Sequence, residues 1–248
     1  MYVVGYPKSG NTWLCFLLAY CLNAEYDDLD APGIHPTNDY QRQYVKGGFD
    51  RPSYQNQTGK ILKTHRQDLE EISLEDPVVY LVRDGRDVMV SYYFFKNTYF
   101  YARNLPFWKR FLFQIRKSLK ISSNSKSNYR DFSAFLQQYT PEWITHISIW
   151  LERKPTAIIR YEDLKADPEA TLNKLFAQLN VTVASEIIQE ALFIFDFKQL
   201  SQRKEGEEDR TSFFRKGIVG DWQNHFSRGD LNFFQQQAAK VMSRLGYD

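Results

Sequence analysis

Apolar residues in this chain come in short uninterrupted runs separated by longer polar stretches. Val3-Val4 leads into a glycine-bounded loop, and residues 13–22 follow it as an apolar run the length of one buried helix. Residues 77–82 (PVVYLV) are apolar without alternation, the pattern of a central parallel strand covered on both faces. Two shorter runs, residues 60–64 (KILKT) and 157–160 (AIIR), read as further strands. Between the strands the period lengthens. A helix is expected from about Arg86 through Lys96. Behind Asp167-Pro168, Leu172, Leu175, Phe176 and Leu179 stand at i, i+3, i+4 and i+7. Thr140-Pro141 reads as a cap and first-turn proline opening a helix whose face carries Trp143, Ile147, Trp150 and Leu151. Residues 184–195 and 230–245 are helical by the same criterion, the last with Leu231, Phe234, Ala238 and Leu245 on one face. Strands alternating with helices predict an α/β fold, a central parallel β-sheet flanked by helices with a P-loop-like strand–loop–helix at the N-terminus. No repeat or linker divides residues 1–248, which read as a single domain.

The polar stretches are of three kinds. Residues 24–59, with Pro32, Pro36, Pro52 and Gly47-Gly48, read as mostly irregular. Residues 118–128 (SLKISSNSKSN) read as a flexible loop, and residues 201–210 (SQRKEGEEDR) as a charged, exposed segment. A net charge of +2 argues against a general nucleic-acid binder, so any preference for anions must come from local placement. Cys15 and Cys21 lie six apart on one expected helix and so on different faces. They do not pair, no Cys/His cluster has zinc spacing, and no metal is expected. Reduced thiols, an apolar run too short to span a bilayer and the lack of a basic-then-apolar leader point to a cytoplasmic protein.

The chemistry concentrates at the start. In Gly5-Tyr6-Pro7-Lys8-Ser9-Gly10-Asn11-Thr12-Trp13 a strand end, a glycine loop and a helix N-terminus adjoin. Backbone N–H groups and the helix dipole favour a bound phosphate or sulfate, and Lys8 adds a full charge; the bland alternative is a tight turn without ligand. Gly5 and Gly10 have the separation of the nucleotide-triphosphate loop, but Asn11 stands where that loop has its lysine. In a parallel sheet the ligand lies beyond the carboxyl ends of the strands. Lys8, His65, Arg83 and Tyr161 each fall at or just after an expected strand end, so four segments converge on one crevice. A guanidinium at Arg83 with the Ser91 hydroxyl two turns into the next helix suits a phosphate.

PKSGNTW resembles the 5′-phosphosulfate loop of sulfotransferases that use 3′-phosphoadenosine 5′-phosphosulfate (PAPS). Three more stretches agree with that family in order: Lys63-Thr64-His65, residues 83–93 (RDGRDVMVSYY) and residues 215–222 (RKGIVGDW). The resemblance implies that Lys8, Ser9, Gly10, Asn11 and Thr12 hold the 5′ end of the donor and that Arg83 and Ser91 hold its 3′-phosphate. It also places Trp13, Tyr161 and Phe197 around the adenine, with Arg215, Lys216 and Gly217 capping the 3′-phosphate. His65 is the implied general base, Lys8 stabilises the leaving phosphate, Lys63 assists from the acceptor side, and Ser91 steers Lys8. The product would be 3′-phosphoadenosine 5′-phosphate (PAP), with residues 118–128 and the charged segment as lids. Asn11 departs from the threonine of animal cytosolic members, though its amide can still donate to an anion. The chain opens almost at the loop, without the preceding stretch that helps form the acceptor pocket in those members. It also lacks their Lys-Thr-Val dimer signature, so oligomeric state stays open.

Two other readings remain at this level. One is a magnesium-dependent P-loop kinase or NTPase, with Thr12 and Asp84 serving the metal; the other is a catalytically silent nucleotide-binding protein. The acceptor (small molecule, lipid or carbohydrate; hydroxyl or amine) is not set by the sequence. The aromatic residues at 92–95, 99–101, 107 and 108 supply rings enough for a pocket and equally for a core.

Overall fold

The strand Tyr2–Val4 (β1) has only three residues, yet neighbours pair with it on both sides. A computed structural model describes residues 1–30, 59–67, 76–99 and 131–247. After β1 come α1 (Asn11–Cys21), β2 (Glu25–Asp28), β3 (Lys60–Thr64), β4 (Val78–Val82) and α2 (Gly85–Phe94), which continues as a π-helical turn over Phe95–Tyr99. Then follow α3 (Phe132–Glu152), β5 (Ala157–Arg160), α4 (Tyr161–Ala166), α5 (Pro168–Gln178), α6 (Ser185–Ile194) and α7 (Phe197–Ser201). A 3₁₀ turn (Asp221–Asn224) precedes α8 (Arg228–Arg244). The five strands run parallel in the order β2-β3-β1-β4-β5.

Alternation along the strands divides the core in two. Val3, Val79, Leu81, Ile61 and Ile159 face α1, α5 and α6 on one side. Val4, Tyr80 and Val82 face α2, α3 and α8 on the other, with Trp143, Trp150 and Phe234. Both faces are therefore covered, which is why PVVYLV shows no polar alternation. Helix α1 is buried from Leu14 through Cys21, and both cysteines are free thiols within it.

Two elements differ from expectation. Residues 25–28 form the edge strand β2, where the sequence predicts irregular chain. Glu-Tyr-Asp-Asp has poor intrinsic strand preference. It pairs because its partner, 35 residues on, supplies the ladder, with Glu25 beside Lys60 and Asp28 beside Lys63. Tyr26 also packs edge-on against Phe16, with centroids 5.4 Å apart. Helix α3 does not begin at Thr140-Pro141. It starts eight residues earlier, at Phe132 behind the cap Asp131, and carries Pro141 inside. An internal proline costs about 3 kcal/mol. The burial of Phe135 and Leu136 before it and of Trp143, Ile147 and Trp150 after it offsets that cost. The loop expected over 118–128 lies outside the described residues.

Close packing at the start of α2 gives a test whose sign opposes helix propensity. A Cβ on Gly85 would stand 2.7 Å from the rings of Trp143 and Phe234. Alanine is the better helix former by up to about 1 kcal/mol, but overpacking costs about 1–3 kcal/mol. Gly85→Ala should lower the urea midpoint; a raised midpoint would mean these two rings yield freely.

Candidate active site

The carboxyl ends of β1, β3, β4 and β5 share one edge of the sheet, and Lys8, His65, Arg83 and Tyr161 follow them there. The connection from β3 to β4 crosses β1, so this edge is the topological switch point where α/β sheets bind ligands. The loop after β1 is shaped by two residues of positive φ, Lys8 (71°) and Gly10 (104°). Gly10 has no room for a side chain, since a Cβ would lie 2.6 Å from the Tyr161 ring. Ser9 Oγ is buried without a partner. Asn11 is turned inward: its Nδ2 donates to the Gly5 carbonyl at 2.9 Å and its Oδ1 is buried and unpartnered. One of the two Asn11 amide N–H groups is therefore engaged by the loop's own carbonyl. Trp13 Nε1 donates to the Phe195 carbonyl (2.9 Å), and its ring meets Tyr161 edge-on at 6.0 Å.

Arg83 is buried and joins three segments. It donates to the Lys8 carbonyl (3.3 Å) and the Ile218 carbonyl (3.1 Å), lies over the Tyr161 ring (4.4 Å to its centroid) and has Asp87 at 3.7 Å. Its Nε is buried without a partner. Asp87 in turn accepts from the backbone N–H of Gly220 (2.7 Å) and Trp222 (2.9 Å), joining α2 to the RKGIVGDW stretch. Ser91 is buried two turns further along α2. Within RKGIVGDW, Arg215 pairs with Asp221 and Glu208 at 2.5 Å each, and Lys216 with Asp221 at 2.6 Å. Burial alone would raise the Asp221 carboxyl, but hydrogen bonds from His225, Lys216 and Arg215 hold it far below the usual carboxylate range. Gly217, at φ 74°, lies against Phe197, where a Cβ would stand 2.4 Å from the ring. Trp13 and Arg83 both contact Tyr161, Arg83 also reaches the Ile218 carbonyl, and Gly217 beside it packs on Phe197. The charged segment beside it is exposed but stapled, since Arg203 donates to the carbonyls of Glu207, Phe214 and Arg215.

Lys8 donates to the Phe213 carbonyl (3.1 Å), with its ammonium 3.9 Å from the Phe213 ring centroid and 4.6 Å from that of Phe95. Burial, with Arg83, Lys63 and Arg215 nearby, lowers its pKa to about 7. A bound anion would offset that charge. The unpartnered Ser9 hydroxyl and the free Nε atoms of Arg83 and Arg215 fit a ligand carrying phosphate groups.

His65 lies at the mouth of a cavity of about 420 Å³, lined also by Tyr6, Pro7, Gln67, Tyr92, Glu142 and His146. Its Nδ1 is 2.6 Å from the Gly5 carbonyl oxygen, a contact that only an N–H makes. The proton therefore sits on Nδ1, leaving the Nε2 lone pair as the basic site. Burial, then the charge of Lys63, lowers the His65 pKa to about 3, so the ring is neutral. His146, unmarked by any motif, supports it: Nε2–H donates to the His65 carbonyl at 3.1 Å while Nδ1 accepts from the Tyr80 hydroxyl at 2.9 Å. Lys63 does not reach the cavity as expected. Its Nζ is committed to Asp28 at 2.6 Å, both side chains being 6% exposed. The aromatic run divides: Tyr92 lines the cavity, while Phe94 packs on His225 and under Arg215. Asp84, the metal ligand of the kinase reading, has both oxygens on Arg86 at 2.8–3.0 Å. Asp28, Asp221 and His146 have no role assigned from sequence, and Asp87 is expected there only as an ordinary surface partner of Arg83. Only Asp87, four residues after Arg83, and Asp221, close behind Arg215-Lys216, carried a spacing signal.

The sulfotransferase domain family matches residues 1–246. The chain belongs to that family. Similar curated proteins include sulfotransferase 1 family member D1 of Rattus norvegicus, 24% identical, with 96% of this chain and 81% of that protein covered. Human sulfotransferase 2A1 is 27% identical, with 98% and 84% covered. Among solved structures, the mouse sulfotransferase SULT7A1 complexed with PAP aligns with a TM-score of 0.64 at 21% identity, covering 98% of this chain and 83% of its own. A retinol dehydratase complexed with androsterone and inactive cofactor PAP aligns at 0.57 and 16%, covering 97% and 80%. These likenesses show the same fold. No helix among the described residues is long and apolar enough to cross a membrane.

The two histidines of this sulfotransferase should weaken its stability on mild acidification. Unfolded, each titrates near 6.5; folded, both stay neutral to about 3. Between those values the unfolded chain binds more protons, so stability falls as pH drops below about 6.5. His146 contributes up to ~1.4 kcal/mol per pH unit of that slope. Urea titrations from pH 7.5 down to 5 should show the decline beginning above the carboxylate range, and His146→Gln should flatten it.

Proposed function

We propose that this sulfotransferase moves a sulfonyl group from PAPS to a hydroxyl or amine of a small-molecule, lipid or carbohydrate acceptor by in-line displacement. The observation that carries the reading is His65 with its Nδ1 2.6 Å from the Gly5 carbonyl and its ring lining a cavity at the strand ends from which the Lys8 loop also leaves. The acceptor oxygen or nitrogen attacks sulfur as His65 Nε2 takes its proton, and the bond from sulfur to the 5′-phosphate oxygen breaks. Lys8 meets the charge that develops on that oxygen. To do so its amino group leaves the Phe213 carbonyl for the anion, whose charge favours the protonated form. Ser9, Gly10, Thr12 and the N–H groups at the start of α1 hold the 5′ end. Arg83, Ser91, Arg215 and Lys216 serve the 3′-phosphate, with Asp221 and Glu208 keeping the last two cations in place until it binds. Trp13, Tyr161 and Phe197 take the adenine, and Gly217 lets the chain pack directly against the Phe197 ring. A reducing, cytoplasmic compartment is supported by the two buried thiols. The magnesium-kinase reading is disfavoured because Arg86 occupies Asp84.

Thermal stability separates the readings. PAP at about 100 times its dissociation constant should add roughly 2.7 kcal/mol of stability, undiminished by EDTA. Stabilisation by ATP with magnesium alone would overturn the proposal. His65→Ala should keep PAP binding and lose about 10²- to 10⁴-fold in turnover.

Calorimetry gives a second test. At pH 8 the ligand's phosphates are already ionised, while free Lys8, with a pKa of about 7, is mostly neutral. PAP binding should therefore take up close to one proton, seen as a dependence of the measured heat on the buffer's ionisation enthalpy. Lys8→Met should abolish that dependence, and an unchanged dependence would show that Lys8 is not the group recharged.

A further inference from the structure

The polar end of β2 closes around the motif that carries His65. Leu29 N–H donates to the Lys63 carbonyl at 2.9 Å, extending the ladder that sets Asp28 beside Lys63. The Asp28 carboxylate holds the Lys63 ammonium and also accepts from the Tyr26 hydroxyl at 3.4 Å. Two residues on, Asp30 Oδ2 accepts from the backbone N–H of His65 at 2.6 Å and Oδ1 from Thr64 Oγ1 at 3.2 Å. Arg66 closes the clasp, with its Nε 3.6 Å from Asp30 and its backbone N–H on Thr64 Oγ1 at 3.1 Å.

His65 is thus held at three points. Asp30 takes its N–H, His146 donates to its carbonyl, and the Gly5 carbonyl takes Nδ1–H. None of these contacts uses Nε2. We infer that Asp28 and Asp30 are positioning residues for sulfonyl transfer: Asp30 fixes the backbone of the base, and Asp28 keeps the Lys63 charge anchored beside it. The inference rests on His65 being the base. It also explains why a lysine in the motif can sit next to a neutral imidazole without pointing at the acceptor.

The signs follow from the charges around the ring. Lys63 on the same strand and Lys8 from the loop after β1 disfavour the imidazolium, and Asp28 from β2 favours it. Asp30 faces the His65 backbone from the same strand end. Asn11 from α1 and His146 from α3 are neutral neighbours, and Glu142 of α3 lines the cavity. Removing Asp28 alone should push the His65 titration further down, while removing Lys63 should bring it up towards the ordinary imidazole range.

The experiment pairs two readouts on the full chain. Imidazole ¹⁵N spectra report the tautomer and titration of His65 whether or not any acceptor is turned over. In the wild-type protein they should show a neutral ring with the proton on Nδ1. Asp30→Ala should mix the tautomers, and Asp30→Asn, which keeps an acceptor oxygen for the His65 N–H, should restore most of the wild-type signature. Asp28→Asn and Lys63→Met should move the titration in opposite directions. With an acceptor in hand, Asp30→Ala should lower kcat about 10- to 100-fold while leaving PAP affinity within about twofold, and Asp28→Asn should cost nothing further in a Lys63→Met background.

Identical spectra and titration in wild type and Asp30→Ala would overturn the inference, as would Asp30→Asn failing alongside Asp30→Ala. A loss of thermal stability with kcat and tautomer unmoved would show a purely structural clasp and also overturn it. If the wild-type protein binds PAP but turns over no acceptor, the transfer reading fails, while the spectra still decide whether the clasp sets His65.

Discussion

Four cations, Lys8, Lys63, Arg83 and Arg215, crowd the carboxyl edge of the sheet in surroundings largely removed from water. Bringing like charges together there costs several kcal/mol per ion unless each finds an opposite charge or a set of acceptors. The protein meets this constraint with buried carboxylates from three different segments. Asp28 answers Lys63, Asp87 stands beside Arg83, and Asp221 answers Arg215 and Lys216. Lys8 is the exception among these cations: its contacts are a carbonyl and two aromatic rings, and its pKa falls to about 7. The structure therefore reserves one deficit of negative charge, in the loop where an anionic donor would sit.

The carboxylates do more than neutralise. Asp87 accepts from Gly220 and Trp222, so the pairing that settles Arg83 also docks the chain's last quarter against α2. Asp221 anchors Arg215 and Lys216 to the following 3₁₀ turn. Asp28 is the charged residue that makes an acidic tetrapeptide worth pairing as an edge strand. Removing one partner of such a pair leaves the other charge buried and uncompensated, at a cost of about 3–5 kcal/mol. Charge balance and fold are coupled at this edge, and loss of one carboxylate should disturb more than the cation it faces.

This coupling explains what the sequence made legible. The central strands and α1, α5, α6 and α8 read directly, because continuous apolar runs and i, i+3, i+4 spacing are local signals of which face is buried. The convergence of Lys8, His65, Arg83 and Tyr161 read from strand ends alone, since parallel strands put their carboxyl ends on one side. β2 did not read, because its strand character comes from β3 and not from Glu-Tyr-Asp-Asp. α3 was cut at Pro141, because the proline rule is local whereas Phe135, Trp143 and Trp150 act through the core. The partner of Lys63 is hidden for a related reason: a motif gives residue types, but Asp28, which holds that ammonium, lies 35 residues earlier on a strand the pattern does not reveal.

The substitution at Asn11 then acquires a physical account. A lysine there would add a further cation to an edge already short of counter-charge. Asparagine instead closes the loop with its own amide, donating to the Gly5 carbonyl, and that same oxygen receives Nδ1–H of His65. One carbonyl thus joins the loop after β1, the first turn of α1 and the imidazole of His65. Gly5 has no alternative, since a Cβ there would stand 2.5 Å from both Asn11 Oδ1 and the Leu81 carbonyl. Any shift of this loop moves the Gly5 carbonyl, and with it the contact to His65 Nδ1, so the conformation of the loop and the setting of the imidazole are coupled.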